Sequence, residues 1–181
     1  NKLAALLLPV VFLLLLCGVS PATVALPDAL AEARRLNMKV VRLFAAGRYA
    51  EAVPLAQRSL LIREKALGPR HPDVAQSLNN LAKLYQAQGH YAKTEPLHRR
   101  ALKILNEAFG PEHPLVAGCL NNLAEVHQAQ GHYAEANRLY RHSLKILEKA
   151  LGPNHPNVAT SLNNLASLYE GQGRYTEAEP L

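Results

Sequence analysis

The pentapeptide Leu-Asn-Asn-Leu-Ala occurs at 78–82, 120–124 and 162–166, each copy 42 residues after the last. Two other markers keep the same spacing. Leu67-Gly68-Pro69-Arg70-His71-Pro72 returns as Phe109-Gly110-Pro111-Glu112-His113-Pro114 and as Leu151-Gly152-Pro153-Asn154-His155-Pro156. Gly47-Arg48-Tyr49 returns as Gly89-His90-Tyr91, Gly131-His132-Tyr133 and Gly173-Arg174-Tyr175. A fixed period of this length means that one supersecondary unit is copied. Such a unit cannot bury its apolar face alone and must stack on its neighbours.

Each unit reads as two helices. Val74, Leu78, Leu81, Ala82 and Tyr85 fall at i, i+4, i+7, i+8 and i+11, an apolar stripe on one helical face. Pro72 suits the first helical position and holds His71 in the extended geometry of a cap residue. Gly89 suits the left-handed residue that ends a helix. The second helix carries Tyr91, Thr94, His98, Ala101, Leu105 and Ala108 on one face and stops at Gly110-Pro111. Ala101, Ser59 and Ser143 share one position, where small residues let two helices approach closely. Pro54, Pro96 and Pro180 fall near the start of this helix, where few backbone bonds are lost. Trp is absent and Leu and Ala dominate, which suits helix over sheet. Helices are expected at 27–46, 49–67, 73–88, 91–109, 115–130, 133–151 and 157–172, with no strands.

On Leu78, Leu81, Ala82, Tyr85, Gly89, Tyr91, Ala101 and the Gly-Pro-x-His-Pro linker, the chain resembles the tetratricopeptide repeat. The likeness is to the 42-residue form found in kinesin light chains and many bacterial proteins, and it covers residues 27–181. It implies an all-α, right-handed superhelical solenoid of antiparallel helix pairs over 26–181, with three pairs and a truncated fourth. The implied function is a non-enzymatic, cofactor-free scaffold that holds peptide segments of a protein partner in its concave groove. Three departures stand out: Lys39 where a core Leu is expected, Thr94 for the Ala at 52, 136 and 178, and His127 for the Tyr at 85 and 169. Helix 27–46 keeps Leu36, Val40 and Leu43, and reads as an amino-terminal cap. The last unit reads as cut off. Leu162, Leu165 and Tyr169 are expected to lack their covering second helix, which leaves that end open to self-association and points to more chain beyond it.

The first helices should line the inner wall. Opposite the apolar stripe lie Gln76, Asn79, Asn80, Lys83 and Gln86. One unit on come Asn121, Asn122 and Glu125, and then Asn163, Asn164 and Ser167. The two asparagines of each unit make a ladder whose amides can both donate to and accept from the main chain of an extended peptide. The plainer reading is that these amides solvate the surface or tie neighbouring units together. Asn79, Asn121 and Asn163 are expected to face the ligand at one amide per repeat, with little role in stability.

The second helices carry Arg58, Arg99, Arg100, Lys103, Arg141 and Lys145. They could form a stripe for anionic lipid or nucleic acid, but with no aromatic residues among them they read as a solvated outer face balanced by Glu64, Glu107 and Glu148. Nucleic acid is therefore not an expected partner. His71, His113 and His155 belong to different units, roughly 10 Å apart, and cannot share a metal ion. They read as helix starts. Cys119 stands where Ser77 and Ser161 do and reads as packing. The chain has two cysteines, which excludes a disulfide framework.

The formal charge of the 181 residues is +6. Lys2, the apolar run Leu3–Cys17 with Pro9 inside it, and the small-residue site Thr23-Val24-Ala25 read as a signal for export over 1–25, cleaved after Ala25. The mature chain would then be periplasmic or secreted. The alternatives are an uncleaved anchor, with membrane contact through residues 3–19, and a lipid-bearing Cys17. Kinesin light chain itself is not expected, because that protein is cytosolic. A reading of another class makes this chain the amino-terminal recognition arm of a larger enzyme, with a protease-like or signalling domain beyond residue 181.

Overall fold

The computed structural model describes residues 26–180. Residues 1–25, on which the expected export signal falls, lie outside the described residues. The elements are α1 (Leu26–Ala45), α2 (Tyr49–Leu67), α3 (Pro72–Ala87), α4 (Tyr91–Phe109), α5 (Pro114–Ala129), α6 (Tyr133–Leu151), α7 (Pro156–Glu170) and the short α8 (Tyr175–Ala178), with no strand among the described residues. Helices adjacent in sequence pack on one another all along the chain. The result is the expected all-α stack of helix pairs. Boundaries differ from those expected by one or two residues, because the proline at each linker is already helical and α3 and α5 end before Gln88 and Gln130.

The linker histidines start α3, α5 and α7 by a mechanism the sequence only half shows. His71 is extended at φ −73° and ψ 141°, and its Nδ1 accepts from the Asp73 backbone N–H at 3.1 Å. His113 accepts from Leu115 N–H at 3.2 Å, and His155 from Asn157 N–H at 3.1 Å. Each imidazole thus satisfies one N–H that a helix start leaves without an intrahelical partner. At the other end, Gly89 has φ +73°, which an L side chain adopts only with strain.

The predicted stripe is the core. Val74, Leu78, Leu81 and Ala82 are buried, as are Val116, Leu120, Leu123 and Ala124 one unit on. Buried Ser59 and Ser143 do more than save space: their hydroxyls donate to the backbone carbonyls of Ala33 at 3.0 Å and Ala117 at 2.8 Å. Each of these bonds pins the second helix of a pair to the first. Thr94 is tolerated in an alanine site because its hydroxyl returns to the His90 carbonyl at 3.1 Å. His127 fills the tyrosine site and is buried with neither ring nitrogen bonded, whereas the Tyr85 and Tyr169 hydroxyls reach Gln57 and Asn137.

Two expectations need correction. Ala108 is exposed, and Ile104 takes its place in the buried face of α4. The buried stripe of α4 thus ends at Leu105. The stripe of α7 is also not bare: Leu165 and Tyr169 are only 1% and 2% exposed. The first turn of α8 covers them with Ala178. In addition, Arg174 lies over the Tyr169 ring at 4.5 Å, and Asn137 and Arg141 of α6 bond its hydroxyl at 2.9 and 2.7 Å. One helical turn and the preceding unit therefore do most of the covering that a full second helix was expected to do.

Candidate peptide groove

Side chains of α3, α5 and α7 line a series of depressions that run into one another along one wall of the stack. The largest, about 580 Å³, lies between α3 and α5. Gln76, Asn79, Asn80 and Lys83 face Gly118, Cys119 and Asn122 across it, and Leu105, Phe109 and Leu115 form an apolar lip. A second, about 250 Å³, continues past Asn121, Asn122 and Glu125 to Thr160 and Asn164. A third, about 330 Å³, ends at Asn164, Ser167 and Tyr140. Lys83 borders the first two and two more depressions toward α1. It therefore stands at the centre of the trough, exposed and in no ion pair among the described residues.

The two asparagines of each unit do different things. Asn79 is held on both sides: its Oδ1 lies 2.8 Å from His98 Nδ1 on α4, and its Nδ2 donates to Cys119 Sγ at 3.1 Å on α5. Since the Asn79 nitrogen is spent on the sulfur, its oxygen must accept, and the His98 proton sits on Nδ1. One unit on, Asn121 Oδ1 accepts from Ser161 Oγ at 3.3 Å. Asn163, the third of this column, is exposed and lines none of these depressions, because it is in register with residues that point along the stack. The second column is more open. Asn80 donates to Asn37 Oδ1 at 2.6 Å, whereas Asn122 and Asn164 border the trough with no side-chain partner among the described residues. Of the amides the sequence put forward, these two both border the trough and have oxygen and nitrogen uncommitted among the described residues.

The electrostatics agree with a binding surface of low reactivity. Burial drives the His98 pKa down to about 4, with the Lys83 charge adding to the effect, so its imidazole is neutral at physiological pH. Burial raises the Cys119 thiol pKa and outweighs the opposing effects of Asn79 and Lys83, which leaves the thiol protonated and unreactive. Near the amino-terminal end, Arg63 is 5% exposed and reaches the Asp73 carbonyl at 2.9 Å and Ser77 Oγ at 2.9 Å. Burial lowers its pKa, the Asp73 carboxylate opposes this, and nearby Arg34 adds to it.

An apolar stretch of the same wall escaped the sequence reading. Counting back 42 residues from Asn80, Lys83 and Gln86 gives Met38, Val41 and Phe44, which are 55%, 57% and 39% exposed. Val41 and Phe44 close the trough against Asn80 and Lys83. The period alone would have found them, had the ladder been followed into the first unit.

The convex charges are mostly paired: Arg99 with Glu95 at 2.7 Å, Arg100 with Glu64 at 2.6 Å, Arg58 with Glu32 at 2.6 Å and Lys103 with Glu107 at 4.0 Å. Exposed pairs of this kind add little stability, and they cancel the field a polyanion would need. Arg141 is instead a packing residue on the Tyr169 hydroxyl.

A family model for the tetratricopeptide repeat matches residues 30–107, 84–149 and 120–181. Nephrocystin-3 of Xenopus laevis and of Xenopus tropicalis are each 59% identical over 39 residues, 22% of this chain and 3% of theirs. The chain thus spans a very small part of those curated relatives. Among solved structures, a Podosopora anserina protein of nearly identical TPR-like repeats, assigned as a kinesin light chain, superposes with a TM-score of 0.71 at 30% identity. That alignment covers 80% of this chain and 69% of that one. The apo form of RapI superposes with a TM-score of 0.70 at 17% identity over 82% of this chain and 52% of its own, which is a likeness of fold alone.

Proposed function

The chain belongs to the tetratricopeptide repeat family, and from that premise we propose that its inner wall holds an extended segment of a partner polypeptide. The observation that carries this reading is the pair of uncommitted amides at Asn122 and Asn164, set one repeat apart along a continuous trough with Lys83 between them and the apolar end. An extended main chain offers a carbonyl and an N–H at every residue, and an amide side chain can meet either. Val41 and Phe44 add a place for one apolar side chain, and Lys83 favours a ligand with negative charge beside it. Binding would be sequence-tolerant along the amides and selective at the apolar end.

Peptides selected by display against the chain provide the test. Lys83→Ala with Asn122→Ala and Asn164→Ala should weaken their binding roughly a hundredfold, at about 1 kcal/mol for each lost bond, and leave the melting temperature nearly unchanged. Arg99→Ala with Lys103→Ala on the convex side should change affinity little at physiological salt. Calorimetric titration in which the convex variant loses affinity and the trough variant keeps it would end the proposal. The same reading places the chain outside the cytoplasm through cleavage of residues 1–25. Intact-mass measurement of exported material should then find Leu26 at its start, and a mature chain that keeps Leu3–Cys17 in the membrane would replace export by anchorage.

A further inference from the structure

At three positions of every later unit, the first helix turns a side chain toward the unit before it. Ser77, Cys119 and Ser161 occupy one of them, and each bonds a residue of the preceding unit: Arg63, Asn79 and Asn121. Leu81, Leu123 and Leu165 occupy the second, and Leu84, Val126 and Leu168 the third, all buried. In α1 the same three positions, 42 residues back, hold Arg35, Lys39 and Arg42, all exposed. Arg34 lies beside them, and Met38 and Val41 stand exposed among them.

A stack must end in something polar, and that need alone would be met by charges of mixed sign. This end is of one sign. The acids of α1 are Asp28, in its first turn, and Glu32, which is paired with Arg58 on the convex side. None of the four cations meets a carboxylate among the described residues. Residues 1–25 contain no Asp or Glu that could supply one.

We infer that this amino-terminal end face docks on a membrane surface bearing anionic lipid. Three features favour a bilayer over an acidic protein. The cations are spread along one exposed helix rather than gathered into a pocket. Met38 and Val41 lie between them, so apolar side chains can enter the headgroup layer while the arginine and lysine stems snorkel to the phosphates. The third rests on the reading of the apolar run Leu3–Val19 as membrane-directed: only residues 20–25 separate that run from α1, so it would bring the cationic face to the bilayer first. The contact shares Val41 with the apolar end of the trough, so docking would cover that end and leave the amides of Asn122 and Asn164 open.

Flotation with vesicles tests the inference, using the chain from Leu26 onward, whose apolar clusters draw on residues 40–178 among those described. It should float with vesicles of phosphatidylcholine and phosphatidylglycerol, stay behind with phosphatidylcholine alone, and be released by salt. Replacing Arg34, Arg35, Lys39 and Arg42 by Gln together should weaken binding on the order of a hundredfold or more, as expected when four surface cations act on an anionic leaflet. Circular dichroism should show the fold kept. The control replaces Arg99, Lys103, Lys145 and Arg138, which is exposed on α6 and paired with Glu135, by Gln; this removes the same charge from the second helices and should leave binding within a few-fold of the parent. Equal loss in the two variants would reduce the effect to net charge and overturn the assignment. No flotation with anionic vesicles would overturn it too, and so would polyglutamate occupying the same face as tightly as lipid does.

Discussion

Asn79 and Asn80 are neighbours in one pentapeptide, yet they belong to different parts of the molecule. Asn79 is bonded across to His98 and onward to Cys119, so it ties two helices of one unit to the first helix of the next. Asn80 borders the trough, and its counterparts Asn122 and Asn164 border it with free amides. The step of about 100° between adjacent helical residues is enough to turn one amide along the stack and the other out of it. A polar residue in a repeat is thus no sign of a binding surface until its partners are known. In the first column Asn79 and Asn121 bond from repeat to repeat, and in the second Asn122 and Asn164 stand free beside the trough where a ligand is proposed to lie.

Acid should break the first column most severely. His98 is completely buried and neutral. Once unfolded it takes up a proton near its ordinary pKa of 6.5, but in the fold only near about 4. Between those values the unfolded chain binds more protons, so the contribution of this residue is complete above 6.5, falls as pH drops, and is gone below about 4. The loss is about 3 kcal/mol. Other groups titrate in the same range, so the useful quantity is a difference between proteins. His98→Tyr copies the residue at the equivalent Tyr140 and should show a shallower decline in urea midpoint from pH 7 to pH 4.5. Parallel curves would mean that His98 takes up its proton without unfolding.

Asn79→Ala comes next. It removes two hydrogen bonds and leaves the His98 Nδ1 proton buried without an acceptor, at a cost of about 2 kcal/mol. A melting temperature within a degree of the parent would show that the contact with His98 does not hold the units together.

The period made the fold legible. Glycine, proline and apolar stripe recur together, and each has one structural meaning, so the helices followed to within a residue or two. The charged end was half legible: Lys39 in a leucine site announced a cap, but the matching Arg35 and Arg42 gained meaning only once Ser77 and Leu84 were seen packed against the preceding unit. The two asparagine columns were not separated by sequence, since both lie off the apolar stripe and both residues are the same. A signal did exist. His98 falls on the buried face of α4 and needs a polar partner there, which an asparagine on the adjacent helix provides. The covering of Tyr169 was not foreseeable, because it depends on Arg141 and Arg174 reaching one ring from two elements.

Smaller effects sharpen the contrast between the columns. Asn122→Ala should weaken a displayed peptide about fivefold, the worth of one bond of about 1 kcal/mol, with almost no change in melting temperature. That is the reverse of the pattern expected for Asn79→Ala.

Asn163→Ala is the smallest and the most discriminating. Asn163 shares its place in the pentapeptide with Asn79, and on sequence alone the two changes should be equivalent. In the structure they are not. Asn163 is exposed, no side chain bonds it among the described residues, and α8 ends at Ala178, short of the level at which His98 stands in α4. Its removal should therefore alter stability by less than about 0.5 kcal/mol, as for other surface changes. The difference between Asn79→Ala and Asn163→Ala in the same chain, read from urea midpoints at pH 7, measures what the contacts add to an identical residue in an identical motif. Equal and large losses would mean that the motif stabilises its own helix and that the bonds to His98 and Cys119 are incidental. Equal and negligible losses would remove the first column from the cohesion of the stack and free it to face a ligand after all.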